Sequence, residues 1–358
     1  MKNIIDFFTE ERAEREANDP KKFCWYGIAA LDDAFYGIRK NDLIVIGADS
    51  GSGKTEIGLM IARHNAIAGR KVALFNLEGG HRAAIRRLKW HDIRNEYYGN
   101  GWTENGFVDM DYRKWLNGEL KGTILDKVET KVLEQWQEKY KDNFYAAEIN
   151  RGFGIEQLQI ELTDFHSMTP TMQGEKIIRM TSFNVDLIVI DHLQYFDLPD
   201  GEKEIIGLTK ILKSVRDIVQ FYDIPVILIS HLVKKMKDRG LPDQADFYGT
   251  SNIPKMATAA ITISPAFGLA NLSAGIYPTY FRIVKSQIPN VKSNCGILIN
   301  FDSYTGNYSK DYTLHSLDKF GMPSSGNAIE EQFLPHWAKK KPIKIEPKEV
   351  QTEIGWQE

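Results

Sequence analysis

Gly47-Ala48-Asp49-Ser50-Gly51-Ser52-Gly53-Lys54-Thr55 lies between an apolar run at residues 43–46 and a stretch at 56–66 with Ile57, Met60 and Ile61 at helical spacing. The order is strand, glycine-rich turn, helix. Glycines let the backbone curl so that successive N–H groups face one anion, and the dipole of the following helix adds to the attraction. A turn of this kind ending in Lys-Thr predicts a phosphate-binding loop in which Ser50, Gly51, Ser52, Gly53, Lys54 and Thr55 surround a nucleoside triphosphate. Lys54 would reach the β- and γ-phosphates, and the Thr55 hydroxyl would hold Mg²⁺. The predicted cofactors are therefore ATP and Mg²⁺. The first position of the usual G-x-x-x-x-G-K-[ST] pattern is Ala48, with a glycine one residue earlier at Gly47; a small residue suffices for the turn.

Working outward, further apolar runs at 72–75, 187–190, 226–229 and 260–263 read as strands. Most are separated by segments long enough for crossover helices, which predicts an α/β fold: a twisted, mostly parallel central sheet flanked by helices. Runs at 279–284 and 296–301 read as an antiparallel edge. About a hundred residues separate the second and third runs; helical patterns at 83–96, 126–141 and 155–165 make residues 81–185 an elaboration of the same domain. Residues 1–20 read as an amphipathic helix whose Ile4, Ile5, Phe7 and Phe8 dock on their own core or on a neighbouring subunit. The main domain spans 21–314, and 315–358, with scattered Pro and Gly, reads as a loosely docked tail.

The composition bounds the setting. Of 358 residues, 42% are hydrophobic and 26% charged, ordinary for a globular chain with a sizeable core. No apolar run is long enough to span a bilayer, and the acidic N-terminus is no secretory signal, so a cytoplasmic setting, bacterial or in a virus-infected host, is expected. Cys24 and Cys295 form neither a metal-ligand spacing nor a disulfide framework. A net charge of −3 argues against a uniformly basic surface, yet allows a local cationic cluster to hold nucleic acid.

An ATPase also needs a carboxylate for the metal, a group to aim water, and a sensor of the γ-phosphate. Each has a candidate at the carboxyl end of an expected strand, where parallel sheets keep their ligand crevice. Asp191 ends Val185-Asp-Leu-Ile-Val-Ile-Asp191 and would join the Mg²⁺ shell. Glu78 follows Val72-Ala-Leu-Phe-Asn-Leu77 and is the candidate for orienting water. His231 follows Val226-Ile-Leu-Ile-Ser230 and could hydrogen-bond the γ-phosphate. Immediately downstream, Lys234, Lys235, Lys237 and Arg239 precede Gly240 and Pro242, a cluster able to hold a phosphodiester backbone.

Taken in order, these segments resemble the RecA-like motor domain of hexameric replicative DNA helicases, the DnaB type and the phage primase-helicase type, from about Gly27 to Tyr308. Phe23-Cys-Trp-Tyr-Gly-Ile-Ala-Ala-Leu-Asp32 and Asn41-Asp-Leu-Ile-Val-Ile-Gly47 look like the family's entry to the phosphate loop. Phe75-Asn-Leu-Glu78 is similar to the catalytic-base segment, Ile190-Asp-His-Leu-Gln194 to the Walker B motif, and Ser230-His231-Leu232 to the sensor. Asp246-Phe-Tyr-Gly-Thr-Ser-Asn252 resembles the second DNA loop, and Phe301-Asp-Ser-Tyr-Thr-Gly306 the turn whose aromatic packs on the base. The resemblance implies ATP hydrolysis at the subunit seams of a homo-oligomer, a ring of six. Lys234, Lys235, Lys237, Arg239, Gly249 and Thr250 would line the pore and hold single-stranded DNA. It also implies a lysine and an arginine inserted from the neighbouring subunit. Here that element reads Lys285-Ser286-Gln287, so Lys285 matches and an amide replaces the arginine finger, with Lys292 and Arg282 as possible substitutes. No partner-binding N-terminal domain or primase zinc set is recognised, so a separate primase or loader is expected. A RecA- or RadA-like recombinase and a regulatory ATPase switch of the same fold are the alternatives.

Overall fold

The structure, a computed structural model, describes residues 3–16, 23–105, 107–149, 152–163, 165–173, 176–233, 240–249, 252–271, 274–292, 294–324 and 328–339. The strands are β1 (Leu43–Ala48), β2 (Val72–Asn76), β3 (Phe144–Ala146), β4 (His166–Gln173), β5 (Lys176–Phe183), β6 (Leu187–Asp191), β7 (Val226–His231), β8 (Ala259–Pro265), β9 (Ile276–Ser286), β10 (Cys295–Asp302) and β11 (Asn307–Ser316). The helices are α1 (Ile4–Glu16), α2 (Ala29–Phe35), α3 (Lys54–Ile67), α4 (Gly80–Gly99), α5 (Tyr112–Leu116), α6 (Leu125–Lys139), α7 (Ile155–Thr163), α8 (Glu204–Tyr222) and α9 (Asn252–Met256).

One nine-stranded sheet runs β11-β10-β9-β8-β1-β7-β6-β2-β3. Strands β8 through β3 in that order are parallel, and β9, β10 and β11 add an antiparallel edge beyond β8. This is the α/β architecture that the apolar runs predict. β1 shows why its register is fixed. Ile44, Ile46 and Ala48 face one core with Ile57 and Ile61 of α3, while Leu43 and Val45 face the other with Leu208, Ile211 and Val215 of α8. Both faces are covered, so the strand reads as a continuous apolar run, and burying each such side chain contributes roughly 1.5–3 kcal/mol.

The elaboration is built on α4. Trp90, Ile93 and Tyr97 of that helix pack with Val108 and with Leu125, Val128 and Val132 of α6 to form a satellite core. Four strands go beyond what the apolar runs predict. β3 adds only three residues to the sheet, too few for a periodic signal. β4 and β5 form a separate hairpin within the elaboration. β11 is a polar edge strand, exposed or half-buried over most of its length.

The two ends of the chain pack in opposite ways. Ile4, Ile5 and Phe8 of α1 are exposed, so these side chains are not docked on the chain's own core. The segment after β11, by contrast, returns to the sheet: Ile329 N–H donates to Leu314 O at 2.7 Å, and Leu334, Trp337 and Ala338 pack with Leu314 and Cys295. Residues 1–2, 17–20, 325–327 and 340–358 of the expected helix and tail lie outside the described residues.

Candidate nucleotide site

Strand register brings the candidate residues together. Ala48 at the end of β1 is opposite His231 at the end of β7, and Asn76 at the end of β2 is opposite Asp191 at the end of β6. Glu78 follows two residues beyond β2, its N–H directed to Asp191 O at 3.4 Å, and Leu77 N–H donates to the same carbonyl at 2.5 Å. The phosphate loop, Asp191, Glu78 and His231 thus line the carboxyl edge of four neighbouring strands. That is where an open α/β sheet holds its ligand.

The loop is closed on itself through Asp49. Its carbonyl accepts from the Ser52 hydroxyl at 2.5 Å and from Lys54 Nζ at 3.1 Å. Gly51 and Gly53 have φ of 76° and 86°, which an L side chain adopts only with strain, while a Cβ on either would meet nothing within 4 Å. Backbone freedom, with open space above it, is what these positions require. Gly47 has a different reason: a Cβ there would fall 2.6 Å from Leu232 and Phe247. It serves strand packing, and Ala48, still in β1, occupies the loop's first position. Lys54 opens α3 and is buried; burial lowers its pKa, opposed by Glu78, Asp191 and Asp49.

Asp191 is buried at the strand end, and neither carboxylate oxygen has a well-formed hydrogen bond. Burial pushes its pKa up to about 6, reinforced by Glu78, while the adjacent Thr55 hydroxyl, Lys54 and Arg87 favour the charged form. An unsatisfied buried carboxylate beside a hydroxyl is suited to a hard divalent cation. Among the described residues no cluster of three or more His, Cys, Asp or Glu stands ready for a metal. Mg²⁺ fits that pattern, since it is commonly held by one or two protein oxygens plus phosphate and water.

Two histidines and a glutamine complete the edge. The Asp191–His192 peptide is cis, and the His192 ring is fully buried, 4.1 Å from the ring of His231. Burial, then His231 and Lys54, lower the His192 pKa to about 3, so the imidazole is neutral; its Nε2 lies 3.5 Å from Glu78 Oε2. Burial and Lys54 also lower the pKa of His231, against Glu78 and Asp49. Gln194 bridges this group to β7, with Oε1 accepting from His231 N–H at 3.0 Å. In the sequence Gln194 stands out only as part of a motif.

Other candidates stand apart. Phe301 lies within β10, its ring tilted 53° against that of Tyr308 with centroids 5.1 Å apart, rather than in the turn that follows. The exposed aromatic of that turn is Tyr304, edge-on to Tyr98 at 5.5 Å. α4 clasps the turn: Arg94 donates to Ser303 O, Asn307 donates to Asn95 Oδ1 at 3.0 Å, and Gly306 abuts the His91 ring. His91 in turn meets Glu56, the residue after Thr55, at 2.5 Å. Gly306 has φ of 68° and a Cβ would fall inside the His91 imidazole, so Gly306→Ala is expected to destabilise the fold by about 1–3 kcal/mol. Denaturant midpoints would register that loss, and an unchanged midpoint would contradict the contact.

Lys285 sits opposite Ala260, itself opposite Val45, toward the end of the sheet away from the phosphate loop, and its Nζ donates to Lys255 O at 2.8 Å. It does not reach the loop of its own chain. Gln287 beyond it is exposed, and Arg216 is close enough to lower the Lys285 pKa, after burial. The guanidinium of Arg282, the other cation weighed for the missing arginine, donates to Leu241 O at 3.2 Å, just past the basic segment. Lys292 lines a cavity of about 460 Å³ beside Arg282. Lys234, Lys235, Lys237, Arg239 and Thr250 lie outside the described residues. Gly249 is described; its φ of 95° and the 2.5 Å approach that a Cβ would make to Leu208 account for the glycine.

Fold and site together define a RecA-like P-loop fold, with a nucleotide-type crevice at the carboxyl edge of β1, β7, β6 and β2. Residues 25–102 match the family described as the DnaB-like helicase C terminal domain. The replicative DNA helicase DnaB of Nostoc sp. (strain PCC 7120 / SAG 25.82 / UTEX 2576) is 24% identical over 214 residues, 60% of this chain and 21% of that protein. The chain thus spans about a fifth of the length of the curated relative it matches. Among solved structures, one described as an ATPase domain superposes with a TM-score of 0.63 at 16% identity, covering 86% of this chain and 98% of that one. A DnaB-like replicative helicase, described with its interactions with primase, gives a TM-score of 0.58 at 16% identity over 80% of this chain and 62% of that one. The resemblance drawn from the motifs is thereby found again in sequence and in fold. Among the described residues no helix is long and apolar enough to cross a membrane.

Proposed function

We propose that this chain is an ATP-driven ring helicase motor that translocates on single-stranded DNA during replication. The observation that carries this reading is the alignment of Lys54, Asp191, Glu78 and His231 on one sheet edge, with a tetracationic segment beginning three residues past His231. In this reading, backbone N–H groups of residues 50–55 and Lys54 hold the phosphates, Thr55 and Asp191 hold Mg²⁺, and Glu78 orients the attacking water. Mg²⁺ held by those two residues would supply positive charge against the phosphate oxygens. His231 senses that departure, and the residues after it grip the DNA backbone. Lys285, far from its own loop, acts across a seam on the neighbouring copy, which is why a closed homo-oligomer is part of the reading. The exposed apolar side of α1 would dock on that neighbour, and a separate primase or loader would complete the machine.

A regulatory ATPase switch is the second reading, and exposed Gln287 in place of an arginine favours it, because an arginine finger contributes orders of magnitude to turnover. Replacing Lys234, Lys235 and Lys237 together by alanine separates the two. For the motor, single-stranded DNA affinity falls and its log–log salt slope flattens by roughly 2, at about 0.7 per lost phosphate contact. Fluorescence anisotropy with an oligo(dT) across a salt series reads this directly. An unchanged slope would remove the basic segment from the DNA path.

A further inference from the structure

One carboxamide ties the candidate nucleotide edge to the residues that flank the basic run in sequence. Gln194 Oε1 accepts from His231 N–H at 3.0 Å, and Gln194 Nε2 donates to Ser230 Oγ at 3.0 Å and to Tyr248 O at 3.2 Å. A backbone N–H on one side and a backbone carbonyl on the other leave the amide a single orientation. That orientation makes Oε1 an acceptor toward His192 Nδ1, 3.2 Å away, and so assigns the ring proton of neutral His192 to Nδ1. The Nε2 that is left bare is the nitrogen 3.5 Å from Glu78 Oε2. All four hydrogen-bonding positions of the Gln194 amide are thereby in use.

The elements it joins are the ones a motor must couple. Tyr248 N–H donates to His231 O at 3.0 Å, Leu232 bridges Phe247, and Val233 N–H donates to Asp246 O at 2.7 Å. Residues 231–233 and 246–248 therefore form a short antiparallel pair, immediately before the basic segment in sequence. On the far side, Gly240 packs against the backbone of Gly321, and Leu241 N–H donates to Gly321 O at 2.8 Å. A shift of the edge beside Glu78 and His231 reaches Tyr248 directly through this amide.

We infer that Gln194 is the positioning residue that transmits the phosphate state of the nucleotide site to the 231–233/246–248 pair, and thereby sets the chain's affinity for single-stranded DNA. The inference rests on the motor reading above. Gln194→Glu is the informative variant, because a carboxylate keeps the acceptor for His231 N–H and loses both donors, to Ser230 and to Tyr248. Gln194→Met removes all four contacts, and circular dichroism checks folding of both.

The measurement is oligo(dT) affinity with ADP and with a non-hydrolysable ATP analogue, alongside hydrogen exchange at the His231 and Tyr248 amides. In the wild type the two affinities are expected to differ by a factor within the ~5–150 range of coupled sites. In Gln194→Glu the ratio falls below about 2, and the Tyr248 amide no longer responds to the nucleotide. A wild type that switches and a folded Gln194→Glu that switches equally would overturn the inference while leaving the motor reading in place. A wild type whose affinity ignores the nucleotide would overturn the motor reading, and the inference with it.

Discussion

Lys54→Ala is expected to abolish measurable ATP turnover, a loss on the order of 10²- to 10³-fold or more, as for removal of one pre-aimed electrostatic group. Two effects combine. The ammonium is the buried cation of the loop, so its loss removes the point charge that meets the phosphates. It also withdraws a positive neighbour that holds the Asp191 pKa down, so Asp191, already raised to about 6, moves further toward its neutral form. A neutral Asp191 is a poorer Mg²⁺ ligand, so nucleotide binding weakens most where Mg²⁺ is limiting. Binding of a fluorescent ATP analogue across a Mg²⁺ titration reads both effects. Hydrolysis at the wild-type rate would remove this loop from the reaction.

Glu78→Gln is expected to separate binding from chemistry. The change keeps the side-chain shape, and Glu78 is about half exposed, so folding is little affected. Turnover should fall about 10²- to 10⁴-fold, the range associated with a lost proton acceptor. Affinity for ATP should hold or tighten, because Glu78 raises the Asp191 pKa and its neutralisation lets Asp191 ionise more readily. Steady-state phosphate release beside an equilibrium binding curve tests the pair of expectations. Unchanged turnover would remove Glu78 from the water-orienting role.

What can be read from residues alone follows physical lines. The core strands are legible because a strand buried on both faces must be apolar throughout, and residues 43–46, 187–190 and 226–229 are. The loop is legible because only glycine supplies the positive φ at 51 and 53 without strain. Gly47 looks in sequence like a displaced member of the loop pattern, since its cause, the approach of Leu232 and Phe247, is a tertiary contact with no local signature. The same limit hides the clasp of His91, Arg94 and Asn95 on the turn some two hundred residues later in the chain. Arg282 looks available as a cation, and only the fold shows its guanidinium committed to Leu241 O. The exposed α1 side chains and the packed segment at 328–339 likewise depend on what lies opposite, which periodicity does not encode.

The central claim is that consuming the triphosphate on this sheet edge moves a DNA-gripping element. Unwinding of a forked duplex by the purified chain, followed by strand-displacement fluorescence with ATP and Mg²⁺, tests it most directly. The account predicts ATP-dependent strand separation that requires a single-stranded arm and disappears in Lys54→Ala. ATP turnover indifferent to single-stranded DNA, with no strand separation from a chain shown to bind ATP, would contradict it.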